Sequence, residues 1–223
     1  MTTDEIAQKQ ESSAAARYPW ESWFELLVAV ILGLATLGSA WSAYQSGLWS
    51  GIQTFRLAES TAAGRRAGEK FVYANQLRGV DLVLFEAYLR ALSENKQQLA
   101  EFLFQRFRPE FKVATEAWLA TRPLKNSSAP SSPFVMKEYS LAADKEMQQA
   151  RQEEATKFTE ASKANTISDD YLLLTVLFSV ALFLGGITAA FKRRKIRGTV
   201  LVLSVLTITA AAIFMAFLPL AKE

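Results

Sequence analysis

Two pairs of adjacent carboxylates, Glu153-Glu154 and Asp169-Asp170, are the densest acidic groupings in the chain. Paired carboxylates can share a proton or hold a cation, provided that they converge. Both pairs fall in stretches that read as helix, where neighbours point about 100° apart and do not meet on one ion. Calcium loops need oxygens at alternating positions around a glycine turn, and none is present. The chain has no histidine and no cysteine. The commonest general base and metal ligand is therefore missing, as are thiolate chemistry and disulfides. Zinc, haem and iron–sulfur centres and the usual catalytic triads lose their residues together. No phosphate-binding, dinucleotide-binding or nucleophile-elbow glycine motif occurs. Serine and lysine abound, so a membrane-surface Ser/Lys hydrolase stays open as an alternative, although nothing singles out a pair. No catalytic, cofactor-binding or metal-binding residue is nominated, and the expectation is a non-enzyme without a cofactor.

The elements that would carry any chemistry are dominated by three uncharged stretches. No charge occurs in the 30 residues between Glu25 and Arg56, the 21 between Asp170 and Lys192, or the 24 between Arg197 and Lys222. A bilayer core about 30 Å thick needs about 20 helical residues to cross. The expected fold class is all-α, with three transmembrane helices over 23–45, 171–191 and 198–218 and a helical extramembrane hairpin or bundle over 46–170. Residues 1–22 form an N-terminal tail and 219–223 a C-terminal one.

Aromatic rings mark the ends of the first span. Tyr18, Trp20 and Trp23 gather at one end, and Trp41, Tyr44 and Trp49 at the other. Such rings favour the two membrane interfaces. A buried core helix and a cleaved signal peptide are the rivals. The acidic N-terminal segment, with Asp4, Glu5, Glu11, Glu21 and Glu25 against Lys9 and Arg17, argues against the latter.

The net charge of +3 is local. Residues 46–170 carry 17 basic and 16 acidic side chains, whereas Lys192, Arg193, Arg194, Lys195 and Arg197 crowd one six-residue hairpin. Short basic loops stay cytoplasmic. Parity then places the N-terminus in the cytoplasm and residues 46–170 outside it, in a multi-pass protein of the plasma membrane. An anionic-lipid or nucleic-acid site at the hairpin is the competing reading; membrane lipid, not nucleic acid, is the expected partner. No acidic or basic residue lies inside a span, which argues against a pump or ion-coupled transporter. A channel made by oligomerisation stays open.

Small residues recur every four positions at Ala35, Ser39, Ala43, Gly47 and Gly51, and again at Ala181, Gly185 and Ala189. Such faces let helix backbones approach closely. They serve either packing among the spans of one chain or association with another copy or membrane protein.

The middle segment reads as helix over most of 46–121. Leu77, Val80, Leu84, Tyr88 and Ala91 make a core-facing stripe, broadened by Phe85, Leu89 and Leu92. Pro109 breaks the run, and a short helix over 110–120 follows. Three prolines and four serines make a loop of 122–136, where Asn126-Ser127-Ser128 fits a glycosylation pattern. Residues 137–168 form a last helix with Ala143, Met147, Ala150, Phe158 and Ala161 on its apolar stripe, running unbroken into the second span.

Several stretches carry a resemblance. Trp41-Ser-Ala-Tyr-Gln45, Trp49-Ser-Gly-Ile-Gln53, Phe104-Gln-Arg-Phe-Arg-Pro109, Ala117-Trp-Leu119 and Pro133-Phe-Val-Met-Lys-Glu-Tyr139 resemble a family of uncharacterised bacterial three-span membrane proteins, as does Asp170-Tyr171 with the apolar run to Phe178. The resemblance implies a bacterial inner-membrane location and three spans. It brings no activity and no site residues. The expected function is a non-enzymatic membrane scaffold or sensor-like subunit that self-associates.

Overall fold

A computed structural model describes residues 19–191 and 193–221, with side chains from Trp23 onward. The fold is all-α, 84% helical, with no strand among the described residues. Five α-helices follow in order: α1 (Pro19–Ser93), α2 (Gln97–Phe104), α3 (Pro109–Ala120), α4 (Ala142–Ile187) and α5 (Arg194–Phe217). Short 3-10 turns lie at Pro133–Val135 and Thr188–Ala190. Three of the α-helices, α1, α4 and α5, are long and apolar enough to cross a membrane. Only 17%, 28% and 17% of their most apolar windows are buried, so most of that apolar surface faces outward. In water such surface would be costly; in lipid it is matched.

The chain forms two compact units, one from the residues up to Phe55 and from Glu160 on, the other from Arg56 to Thr159. In the first, α1 and α4 run antiparallel: Leu32 lies near Gly185, Gly38 against Phe178, and Ser46 against Ser168. Ala35, Tyr171, Leu174, Phe178, Ala181 and Ala211 form the core, with α5 supplying Ala211. Gly38 gives the ring its room: a Cβ on it would sit 2.6 Å from the Phe178 ring, so the ring would have to shift.

In the second unit α1 and α4 are again antiparallel. Ser60 donates to the Glu154 carbonyl at 3.0 Å, and Arg66–Glu153, Lys70–Glu146 and Arg78–Asp144 bridge the pair. Its core is aromatic: Phe85, Tyr88, Phe107, Phe111 and Trp118, with Phe134 and Tyr139 packed on them. Phe85 meets Phe111, Trp118 and Phe134 edge-on, and Phe111 stacks on Phe134 at 5.1 Å.

The ends of these helices follow local chemistry. α1 stops where Asn95 takes φ 57°, a left-handed conformation that asparagine tolerates. Lys96 N–H then donates to Ala91 O and Asn95 N–H to Leu92 O, which closes the helix C-terminus. The break at 94–96 lies inside the stretch expected to be helical. Pro109 occupies the first turn of α3, where its missing N–H costs nothing. α4 is unbroken over 46 residues, as the sequence suggested. It begins at Ala142, five residues later than expected. α5 begins at Arg194, so Arg194, Lys195 and Arg197 lie in its first turn rather than in a free hairpin.

Two stripe assignments change. Val80 is 54% exposed, and Leu89 and Leu92 are also exposed. The buried line runs instead through Ala74, Asp81, Phe85, Tyr88 and Ala91. On α4, Phe158 points out, and its neighbour Lys157 pairs with Glu59 at 3.2 Å.

Candidate functional site

In the second unit Asp81 is a fully buried carboxylate on α1. It is held from two directions. Arg108, in the turn before α3, donates through Nε to Oδ1 at 3.1 Å and through Nη2 to Oδ2 at 2.5 Å. Tyr139, after the first 3-10 turn, donates its hydroxyl to Oδ2 at 2.8 Å. A carboxylate without partners could not stay buried here; a two-pronged guanidinium supplies both charge and geometry. Three separate stretches of chain are thereby fixed to one another. The carboxylate holds the Arg108 guanidinium above its ordinary value, chiefly through the hydrogen bond. Tyr139 is pushed far above an ordinary phenol, first by burial and then by its bond to Asp81. Trp118 completes the lid on this core: its indole N–H donates to the Pro130 carbonyl at 2.7 Å and ties down the loop.

Around this network the sequence candidates disperse. Glu153 pairs with Arg66 and Glu154 with Arg151, so the two carboxylates point to different partners. Asn126 accepts from Ser128 N–H and donates to Thr121 O, building a turn. Among the described residues no group of three metal-ligating side chains converges.

The first unit has a second organised cluster, at the end of the helices where the described chain closes. The Trp49 indole and the Tyr171 hydroxyl both donate to Pro219 O, at 3.1 and 3.3 Å. Gln45, almost wholly buried, accepts the Ala221 N–H at 3.0 Å. Ser46 and Ser168 donate to each other's carbonyls at 3.0 and 2.9 Å. Trp49 is therefore a clasp on the segment after α5. At the opposite end the Arg197 guanidinium lies 4.1 Å over the Phe24 ring, so the start of α1 and the start of α5 meet.

Ala35 and Ala181 are fully buried, and Gly185 faces Leu32, whereas Ala189 is exposed. Ser39 is half-buried, and Ala43, Gly47 and Gly51 are exposed. The ladder is thus divided: its first part packs within the chain and its later part does not. Trp23 is 72% exposed, and Trp41 and Tyr44 lie exposed with ring centroids 5.9 Å apart. Arg193, Arg194 and Lys195 are exposed. Lys192, Tyr18 and the N-terminal tail through residue 18 lie outside the described residues, as does the side chain of Trp20.

No protein-family model matches the chain, and no curated protein or solved structure matches it. Sequence reasoning passed over Asp81, although a lone acid among Gly79-Val80 and Leu82-Val83-Leu84-Phe85 was its signal. A charge in so apolar a helix needs a partner. The stretches Phe104–Pro109, Ala117–Leu119 and Pro133–Tyr139, distant in sequence, supply Phe107, Arg108, Trp118, Phe134 and Tyr139 to this one core.

Proposed function

We propose that the chain is a non-enzymatic integral membrane subunit of the bacterial inner membrane that acts as a scaffold by self-association. The observation that carries this reading is the unused half of the small-residue ladder. Ala43, Gly47 and Gly51 are exposed, and among the described residues nothing beyond the helix's own neighbouring backbone lies within 4 Å of a Cβ built on Gly47 or Gly51. Close-packing faces of this kind join transmembrane helices. The buried carboxylate supports a structural role in the same sense, because its two oxygens already accept three donors.

The orientation proposed from the basic residues puts the α4–α5 junction and the N-terminus in the cytoplasm and the second unit outside it. The contact between Arg197 and Phe24 supports the parity, since it puts the starts of α1 and α5 at one end of the bundle. Mass measurement of the purified full chain in mild detergent and in lipid nanodiscs tests the scaffold reading. An oligomer is expected in both. A strict monomer in both overturns it.

A further inference from the structure

Within the second unit, α1 and α4 meet over 60–74 and 143–157 along a seam built mainly of alanine. The buried residues of α1 there are Ser60, Ala63, Ala67 and Ala74. On α4, Ala143 and Ala150 are buried, and Met147, Glu154 and Lys157 are partly buried. The steps of three, four and seven are those of a two-helix seam. Alanine lets two backbones approach closely, but it buries little apolar area per residue. A charged group even enters the seam. The Glu154 carboxylate lies where a Cβ built on Gly64 would meet it at 2.6 Å.

Opposite charges fasten what alanine holds weakly. Glu59–Lys157 at 3.2 Å, Arg66–Glu153 at 2.7 Å, Lys70–Glu146 at 2.5 Å and Arg78–Asp144 at 2.5 Å all cross from one helix to the other. From Glu59 to Arg78 they span about 29 Å of α1. Their side chains are 23% to 53% exposed, within reach of dissolved ions. The screening length falls from about 30 Å at 0.01 M salt to about 8 Å at 0.15 M and about 3 Å at 1 M. Ion pairs this exposed weaken across that range. The aromatic core of the same unit is built otherwise. Phe85, Tyr88, Phe107, Phe111 and Trp118 hold one another by ring packing, and Asp81 meets Arg108 out of contact with water. Buried pairs are screened far less.

We infer that the α1–α4 seam of the second unit is an ionic-strength-responsive element. It is fastened in dilute electrolyte and loosens as salt rises, while the aromatic core stays closed. The response needs no bound ligand, because mobile ions act on it by screening. All of its contacts lie within one chain, so the inference is independent of self-association. A subunit built in this way responds to the electrolyte that bathes its second unit.

The test uses the full chain in nanodiscs of zwitterionic lipid, taken from 20 mM to 1 M potassium chloride. Backbone amides of 60–74 and 143–157 are expected to exchange about tenfold faster at the high end, the summed loss of four exposed pairs. Amides of α3 are expected to hold their rates. The chain has no cysteine, so spin labels at Thr61→Cys/Thr156→Cys, both exposed, report the seam directly. Their separation is expected to grow and broaden with salt, and that of Val83→Cys/Val113→Cys, across the aromatic core, to stay fixed. Sucrose at equal osmolality is expected to change neither. The variant Arg66→Gln/Lys70→Gln/Glu146→Gln/Glu153→Gln should exchange fast at 20 mM and lose most of its salt dependence. The swapped pair Arg66→Glu/Glu153→Arg, which keeps both charges, should retain it. Seam amides and label distances unmoved up to 1 M, a seam and core that loosen together, an equal response to sucrose, or a full salt response in the glutamine variant would each overturn the inference.

Discussion

Arg108 grips Asp81 with two hydrogen bonds across 27 positions of sequence, although Asp81 is wholly buried and the Arg108 side chain is 24% exposed. The pair is asymmetric. Removing the arginine strands a carboxylate in an apolar core, whereas removing both charges leaves a hole of ordinary apolar character. Breaking one partner of a buried pair costs about 3–5 kcal/mol, while replacing both by hydrocarbon is often neutral. Arg108→Ala is therefore expected to lower the thermal midpoint of the purified protein strongly. Asp81→Leu/Arg108→Met is expected to recover most of the loss. Near-ultraviolet circular dichroism follows it, since Trp118 and the surrounding rings report on this core. Equal destabilisation by the single and double variants would show that the pair does not hold the core.

Alkali should attack the same core. Tyr139 is held neutral well above the ordinary phenol range by burial and by its bond to Asp81, and burial raises Tyr88 in the same direction. An unfolded tyrosine ionises near pH 10. Below that pH both states keep the proton and nothing changes. Above it the unfolded chain ionises first, so stability falls as pH rises further. Spectrophotometric titration should show tyrosines that ionise only as the second unit unfolds. Tyr139→Phe removes one of them and should shift the alkaline unfolding midpoint upward relative to its own stability at pH 8. A titration in which all six tyrosines ionise together near pH 10 with the core intact contradicts this.

What the sequence made legible, and what it did not, follows from the range of the interactions involved. The three apolar helices announce themselves locally, through length and the absence of charge, and all three are present. The continuity of α4 was legible for the same reason, since nothing in Ala142–Ile187 breaks a helix. The stop at Asn95 was not, because a single asparagine in a polar run gives only a faint signal. The inward face of α1 was misjudged by about one position in its middle. Val80 looks like core by hydrophobicity, but Asp81 takes that place because Arg108 and Tyr139 stand ready to receive it. Neither partner is visible from a window of one helix. The clasp of Gln45, Trp49 and Tyr171 on the last residues was hidden for the same reason, with partners 48 to 176 positions away.

That clasp predicts a measurable local effect. Gln45 accepts the Ala221 amide, and Trp49 and Tyr171 share the Pro219 carbonyl. A hydrogen bond of this kind contributes about 0.5–1.5 kcal/mol net, enough to slow exchange of one amide by about twofold to thirteenfold. Gln45→Ala should raise the hydrogen-exchange rate at Ala221 with little change in α2 or α3, and Trp49→Phe should do so less. Unchanged exchange at Ala221 in Gln45→Ala would mean that the segment after α5 is held by other contacts.

Sidedness can be read with the same cysteine-free background. Ser128 lies in the exposed loop of the second unit, and Ile196, 40% exposed, lies among the cations at the start of α5. Ile196→Cys keeps every positive charge, so the topology signal is not disturbed by the probe. With basic residues retained in the cytoplasm, a membrane-impermeant maleimide added to intact cells should label Ser128→Cys and spare Ile196→Cys. Opening the membrane should then expose Ile196→Cys. Labelling of Ile196→Cys alone in intact cells would turn the second unit toward the cytoplasm.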